Sequence, residues 1–426
     1  MSRALLWEDL HPSWSILGEE DGDLRGKCIV LGVTASASMY RSIDLARALM
    51  RMGAVVRVAM TPEAAKLISP EMFSWATGLP AVTEMTGAVE HVSLARLCDA
   101  VVVAPASLET LSEIASFGAR TVVSALVQEA LGLGKPVLAV PAMHEGMWRR
   151  ASKLVRELEE QGLAVMSPVL EGDRAKYPPV ELVAWWAEAV ISRGRDLAGR
   201  KLLVTAGPTR EHIDPVRVVT NPSSGLMGLA VALEASWRGA EVHLVHGPLC
   251  APVPSQWRSY VAEAVRVERG SEMAEAVAAL ASRGIDAAVY AAAVSDYRPA
   301  SEASSKIPSE RGALELRLEP TEKVVARGLA AAPNAVHVGF AAETARSVEE
   351  LLEKARRKLE KYRLDAVAAN NVLEEGAGFG FPTNHVYVVD RAGTVREIPR
   401  MHKRLVARRL LDIVRELLEE DPGSRS

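Results

Sequence analysis

Only three cysteines, Cys28, Cys98 and Cys250, occur in 426 residues, and they lie far apart. That excludes a disulfide-rich scaffold and a cysteine zinc site, and it predicts reduced thiols. Aromatic residues make up 5% of the chain against 49% hydrophobic residues, so Ala, Val and Leu must fill the cores. No run approaches the roughly 20 uninterrupted apolar residues of a membrane span. The start, MSRALLWEDLHPSWSILGEEDGD, lacks the apolar core and cleavage site of a signal peptide. No membrane partner and a cytoplasmic location are therefore expected. Neither sign of charge dominates: 50 basic and 54 acidic residues leave a net −4, with no basic excess for nucleic acid. There is no GxxxxGK[ST], and the glycines do not fall as GxGxxG, so P-loop and dinucleotide readings lose their main support.

What is present reads as α/β, long enough for two or three domains. Residues 1–24 form an extension, with Trp7 and Trp14 expected to pack on a neighbour. Lys27–Leu31, Ala54–Met60, Cys98–Ala104 and Val137–Val140 are strand-length apolar runs. The first two flank a helix over Met39–Met52 that Gly53 ends. Strands alternating with helices predict a parallel, doubly wound sheet, whose ligands sit beyond the carboxyl ends of the strands. Small polar residues cluster there: Thr34 and Ser36, Thr61, Ser107 and Thr110. They suit a phosphate, although such turns also occur with no ligand. Pro178–Ile191 reads as a closing helix carrying Trp185 and Trp186. Residues 192–200 form a polar hinge.

A second sheet begins in the stretch around which the chain is organised. Lys201–Thr205 is a strand, a long polar loop follows, and Thr220-Asn221-Pro222-Ser223-Ser224-Gly225 opens a helix. Leu226, Leu229, Ala230 and Leu233 recur at helical spacing, and Glu241–Val245 is the next strand. The first amides of a helix point outward unpaired, so this βαβ unit offers an anion-sized hole. NPSSG alone reads equally as an N-cap whose Ser and Asn serve only helix amides. The preceding GPTRE and Asp214-Pro215-Val216-Arg217 make the loop longer and more polar than a plain connection needs. Further on, Asp286–Val294 is a buried strand, Asp365–Asn370 is the last parallel strand, and Val386–Asp390 pairs with Val395–Ile398 in a hairpin. An amphipathic helix from His402 closes the fold.

GPTREHIDPVR followed by NPSSGLMG resembles the ligase half of the bifunctional phosphopantothenoylcysteine synthetase/decarboxylase family, flavoproteins of coenzyme A biosynthesis. GVTAS, MTPEA, APASLETLSEIASFG and VPAMHEGMW resemble the flavin half, and the resemblance covers nearly the whole chain after about residue 25. It implies a flavodoxin-like HFCD flavoprotein domain over 25–191, a phosphopantothenoylcysteine decarboxylase, and a Rossmann-like ligase domain over 201–426. By position, Thr34, Ala35, Ser36, Thr61, Ser107 and Thr110 become FMN candidates. His91 alone would be a surface or capping residue, but the family places its essential histidine there.

The chemistry implied joins 4′-phosphopantothenate to cysteine and then decarboxylates the phosphopantothenoylcysteine. A carboxylate must be activated before an amine attacks it, and the family uses CTP or ATP with Mg²⁺ to form an acyl-nucleotide. Gly207, Ala292, Asp296, Lys306, Glu322, Lys323, Val324, Val325, Phe340, Lys358 and Lys361 fall at nucleotide-site positions. Lys306 by itself is an ordinary solvated lysine; its spacing ten residues past Asp296 matches the family. Asn221 matches a residue tied to the acyl intermediate, and Arg217, Ser223, Ser224 and Gly225 become substrate-binding candidates. No metal ligands are assigned. In the first half, FMN is the electron sink that lets carbon dioxide leave. Two departures stand out: His144 replaces the Asn of PAMN, and the flap Leu170–Lys176 has no cysteine. Glu171 is one candidate acid; otherwise the first half is a flavin-binding or oligomerisation module beside an active ligase. The family also implies trimeric flavin domains and dimeric ligase domains.

Overall fold

The computed structural model describes residues 11–171, 174–309 and 312–420. The chain divides into two compact units, Met1–Gly194 and Arg195–Ser426. Both are α/β, and no described helix is long and apolar enough to cross a membrane.

In the first unit the strands are β1 (Cys28–Val33), β2 (Val55–Met60), β3 (Ala100–Ala106), β4 (Val137–Pro141), β5 (Met143–His144), β6 (Leu163–Val165), β7 (Val169–Glu171) and β8 (Arg174–Lys176). The helices are α1 (Arg41–Arg51), α2 (Pro62–Leu67), α3 (Pro70–Thr77), α4 (Glu90–Leu97), α5 (Leu108–Ala115), α6 (Val122–Gly132), α7 (Glu145–Glu160) and α8 (Val180–Arg193). The main sheet is parallel, in the order β2-β1-β3-β4-β6. Of its central strands β3 and β4 are buried along their whole length and β1 from its second residue on, because helices cover both faces. In α1 the buried residues Leu45, Ala46, Leu49 and Met50 form one stripe. β5, β8 and β7 make a separate antiparallel sheet, in which the flap expected at Leu170–Lys176 pairs as β7 with β8 and is joined by β5.

Two expectations need correcting here. Cys28 and Cys98 are not free thiols: they form a disulfide, with Cα atoms 4.4 Å apart. They stand 70 residues apart in sequence, but β1 pairs with β3, so the starts of the two strands are neighbours. Cys250 is the free, exposed cysteine. Trp14 also packs within its own unit, in a short 3₁₀ turn, Pro12–Ile16, against Gly78. Leu24 is fully buried, and the Asp23 amide donates to Glu188. Trp7 lies outside the described residues.

In the second unit the strands are β9 (Lys201–Ala206), β10 (Arg210–His212), β11 (Val218–Thr220), β12 (Glu241–His246), β13 (Glu263–Arg266), β14 (Ala287–Tyr290), β15 (Tyr297–Pro299), β16 (Leu318–Pro320), β17 (Val336–Glu343), β18 (Ala366–Asn371), β19 (Thr383–Asp390) and β20 (Val395–His402). The helices are α9 (Leu226–Trp237), α10 (Gly270–Ala281), α11 (Val324–Ala331), α12 (Val348–Tyr362) and α13 (Lys403–Glu419). The main sheet runs β13-β12-β9-β14-β17-β18-β19-β20, parallel as far as β18 and antiparallel beyond it. β9 is central, with β12 on one side and β14 on the other, so the strand order reverses between β9 and β14. A crevice opens at such a switch point.

Helix α9 is buried almost all round. Gly228 lets it lie on β9, since a Cβ there would come within 2.6 Å of Ala206 Cβ and Thr205 O. On its other side lies α13, joined through buried ion pairs. Arg408 pairs with Glu234 at 2.7 Å, and Arg238 with Asp196 at 2.7 Å and Asp412 at 2.9 Å. The strand expected over Asp286–Val294 stops at Tyr290. There the Ala292 amide turns to Thr205 Oγ1, and Ala293 pairs with the Gly207 carbonyl instead of a strand partner. The long polar loop is partly ordered as the β10–β11 hairpin, whose turn Asp214 closes by accepting from the Val216 and Arg217 amides.

Candidate active sites

In the first unit the turn after β1 and the loop after β3 diverge, leaving a cavity of about 560 Å³ at the strand-order reversal. Ala35, Ser36 and Ser107 line it, as does His144 at the start of α7. Thr34 does not. It is fully buried beneath the floor, donating to Pro105 O and accepting from the Ser107 amide, both at 2.8 Å. Thr110 is also buried and accepts from the Ser107 hydroxyl at 3.1 Å. Thr61 caps α2 through the Ala64 amide. Thr34 and Thr110 thus support the cavity through Ser107, whereas Thr61 only caps its helix. His91, in the first turn of α4, is not among the residues lining it, and its Nδ1 is buried without a hydrogen-bond partner. Glu171 ends β7; its side chain lies outside the described part of the structure.

The sequence reading missed the contribution of Tyr40, Arg41, Lys176 and Tyr177 to this cavity. Lys176 ends the flap strand β8 and Tyr177 follows it, so no linear motif brings them near Ser36. The Tyr177 hydroxyl is buried without a partner, and burial pushes its pKa upward. Helix α1 has no side-chain cap, and Arg41 is its first residue. The Arg41 and Ser42 amides donate to Ser38 O and Met39 O of the preceding turn, so the groups left to suit a phosphate here are the Ser36 and Ser38 hydroxyls and the Arg41 side chain.

In the second unit a cavity of about 590 Å³ lies past the carboxyl ends of β9, β14 and β17. It brings together Asn221, Ala292, Asp296, Glu322, Lys323, Val324, Val325, Phe340, Lys358 and Lys361. Asn221 Nδ2 donates to Ala293 O and Val294 O, both at 3.1 Å, and so ties the NPSSG loop to the β14 loop. Lys323 pairs with Asp296, and Lys358 with Glu343 at 2.6 Å. Each cation is held at the rim by a carboxylate that an incoming polyphosphate would displace. Tyr290 backs the cavity, stacked on His337 and hydrogen-bonded to its Nδ1 at 3.0 Å. Burial, the larger effect, holds the His337 pKa below its ordinary value.

Gly207 and Lys306 do not line this cavity. Gly207, at φ 77°, packs against Gly225 and Leu249. Gly225 itself has φ 81° and starts α9; a Cβ there would run into Leu249 and come within 3.1 Å of Gly207 Cα. Lys306 is exposed, but its neighbour Ile307 is anchored from both sides. Its amide donates to Asp214 Oδ2 at 3.1 Å, and its carbonyl accepts from Arg217 at 3.0 Å. Burial opposes ionisation of Asp214. The amides of Ile307, Val216 and Arg217, with the Arg217 charge, outweigh it and hold the pKa at about 2. Arg217 is therefore engaged in fixing the lysine-bearing loop. Ser223, Ser224 and Gly225 line a smaller cavity of about 100 Å³ beside the large one. Among the described residues there is no group of three or more His, Cys, Asp or Glu able to hold a metal.

Comparison with known proteins agrees with both halves. Residues 17–189 match the family model described as flavoprotein, and residues 197–418 that of the DNA/pantothenate metabolism flavoprotein C-terminal domain. The coenzyme A biosynthesis bifunctional protein CoaBC of Thermococcus kodakarensis is 38% identical, over 96% of this chain and 100% of its own length. The protein of the same name from Escherichia coli K12 is 34% identical, over 91% of this chain and 97% of its own. The crystal structure of a CoaBC C-terminal domain is 35% identical and covers 53% of this chain and 100% of its own, at a TM-score of 0.43. With two family domains in order and end-to-end identity, the chain belongs to the family of coenzyme A biosynthesis bifunctional proteins.

Proposed function

We propose that the second unit joins phosphopantothenate to cysteine at the expense of a nucleoside triphosphate, CTP or ATP, and that the first decarboxylates the phosphopantothenoylcysteine formed. Family membership over the whole chain supports both steps. The observation that carries the reading is the large cavity of the second unit, where Lys323, Lys358 and Lys361 surround the carboxyl ends of three parallel strands.

In the ligase half the lysines neutralise charge that builds on the leaving pyrophosphate. Phe340 offers a ring for a nucleobase, and the loop held by Asp214 and Arg217 carries Lys306 as a mobile cation that closes over the phosphates. Asn221 holds the β14 loop in place with both protons of its side-chain amide, and its Oδ1 is the atom left to face the acyl intermediate. Mg²⁺ would come with the nucleotide; Asp296, released from Lys323, is the carboxylate that would help hold it, and the ion would supply charge neutralisation to the phosphates.

In the decarboxylase half, a cavity of about 560 Å³ is within the usual size of ligand pockets. Ser36, Ser38, Ser107 and the Arg41 side chain would hold the FMN phosphate there, and bound FMN would supply the electron sink for carboxylate loss. His144 donates to the substrate carboxylate. His91 would work from a separate surface, consistent with FMN lying near a contact between copies in a trimer. Ligase dimers, a cytoplasmic location and domain limits of 25–191 and 201–426 complete the proposal.

Two assays test it. Pyrophosphate release should require phosphopantothenate, cysteine and a nucleotide together. Carbon dioxide release should follow from phosphopantothenoylcysteine and FMN. A ligase with no carbon dioxide release would leave the first unit a flavin-binding or oligomerisation module.

A further inference from the structure

Lys306 lies on the segment between β15 and β16, and that segment is fastened to the rest of the second unit at two places. At its far end both backbone groups of Ile307 are taken, the amide by the buried Asp214 and the carbonyl by Arg217. At its near end Arg269 Nη2 donates to both carboxylate oxygens of Glu302, at 3.0 and 2.8 Å, and the Ala303 amide donates to Ile213 O at 3.0 Å. Between these ends Ser304, Ser305 and Lys306 are exposed and make no hydrogen bond or ion pair among the described residues. Arg269 is fixed in its turn. It immediately precedes α10, whose Gly270 amide donates to the buried Glu211 at 2.9 Å, and the adjoining Glu268 O accepts from the Arg210 amide at 2.7 Å.

The two fastenings differ in strength. Asp214 is fully buried and accepts from the amides of Val216, Arg217 and Ile307, whereas the Arg269 and Glu302 side chains are 37% and 42% exposed. Exposed ion pairs contribute little, so the near end is the one that opens. While Glu302 and Ala303 are held, only Ser304, Ser305 and Lys306 are free between fixed neighbours, and a chain spans at most about 3.5 Å per residue. With that end open the free run grows to Ser301–Lys306, because the next pinned residue is Ala300, whose amide donates to Arg317 O at 2.9 Å. In the fastened position Lys306 does not line the large cavity, so it has to leave that position to reach a nucleotide there.

We propose that the Arg269–Glu302 ion pair is a latch that holds the Lys306 segment in a disengaged position and has to open before Lys306 engages a nucleoside triphosphate. The segment then turns about Ile307, which Asp214 and Arg217 keep in place. A bound polyphosphate draws the equilibrium over, because it gives Lys306 a charged acceptor that the latched position lacks. A ligand that is held well only by the open form has its apparent affinity cut by the fraction of molecules that are open. The pair therefore sets nucleotide affinity without touching the nucleotide, and Arg269 and Glu302 are positioning residues. The inference rests on the ligase reading, with Lys306 acting in it, and adds a contact that works against binding.

The test compares the full-length wild type with Glu302→Gln, Arg269→Gln and the double variant. Each lacks the ion pair, and because the pair is exposed the melting temperature should hold. In Glu302→Gln the Kd for CTP or ATP with Mg²⁺, read by calorimetry, and the nucleotide KM of pyrophosphate release should both fall about 3-fold, the size of one exposed ion pair. Arg269→Gln and the double variant should show the same fall, because each change removes one and the same contact. The KM values for phosphopantothenate and cysteine should stay unchanged. Damage to the fold weakens binding, so tighter binding is an outcome that a merely structural role does not produce. An unchanged or raised nucleotide Kd in Glu302→Gln would overturn the inference, as would effects that add in the double variant. Trypsin reads the latch without any ligase activity. Cleavage after Lys306, located by mass spectrometry in the absence of nucleotide, should be about 3-fold faster in Glu302→Gln than in the wild type. If the wild type releases no pyrophosphate, it is the ligase reading that fails, and this cleavage then decides on the latch alone: equal rates would count against it.

Discussion

At the scale of single residues, the chemistry proposed for the second unit depends on cations parked against carboxylates. Lys358 is held by Glu343 and Lys323 by Asp296, both pairs partly exposed at the cavity rim. Such exposed pairs contribute little to stability. Lys358→Ala should therefore leave the melting temperature nearly unchanged while raising the nucleotide KM about 10-fold. Steady-state pyrophosphate release checks this, and an unchanged nucleotide KM would place the phosphates elsewhere. Asp214 gives a second test. Its folded pKa lies at about 2, below the ordinary 3.8. A lowered carboxylate pKa contributes stability in full above the unfolded value, and loses it as pH falls through the folded one. The stability gap between wild type and Asp214→Asn should thus be constant above the ordinary 3.8 and close as pH approaches about 2. Urea unfolding across that range reads it; a gap that widens on acidification would contradict the assignment.

At the scale of elements, α9 and α13 are coupled by charge as well as by packing. Arg408 and Glu234 are both buried and bonded at 2.7 and 3.1 Å. Arg408→Met leaves a buried carboxylate unpaired and should destabilise the protein by about 3–5 kcal/mol. Adding Glu234→Met should restore most of that loss, as read by denaturant unfolding; no recovery would mean that packing alone joins the helices. What could be read in advance at this scale followed from periodicity. Apolar runs marked β1, β2, β3, β9 and β12, and spacing marked α9. What could not be read was set by contacts between distant segments. β14 ends early because the Thr205 hydroxyl takes the Ala292 amide. The β5-β8-β7 flap draws its strands from segments on either side of α7. Cys28 meets Cys98 only because two parallel strands start side by side. Arg269 and Glu302 carry no motif and stand 33 residues apart in sequence.

At the scale of the molecule, each unit has its own parallel sheet, its own strand-order reversal and its own cavity there. The account requires that the two work in sequence on one substrate yet fail separately. The most direct measurement supplies the purified full-length protein, loaded with FMN, with phosphopantothenate, cysteine, Mg²⁺ and CTP or ATP, and follows pyrophosphate and carbon dioxide together. The account predicts pyrophosphate first and carbon dioxide after it, with Lys306→Ala abolishing both products from these substrates but not carbon dioxide release from added phosphopantothenoylcysteine, and His91→Ala abolishing only carbon dioxide. Neither product from the wild type with either nucleotide would contradict it.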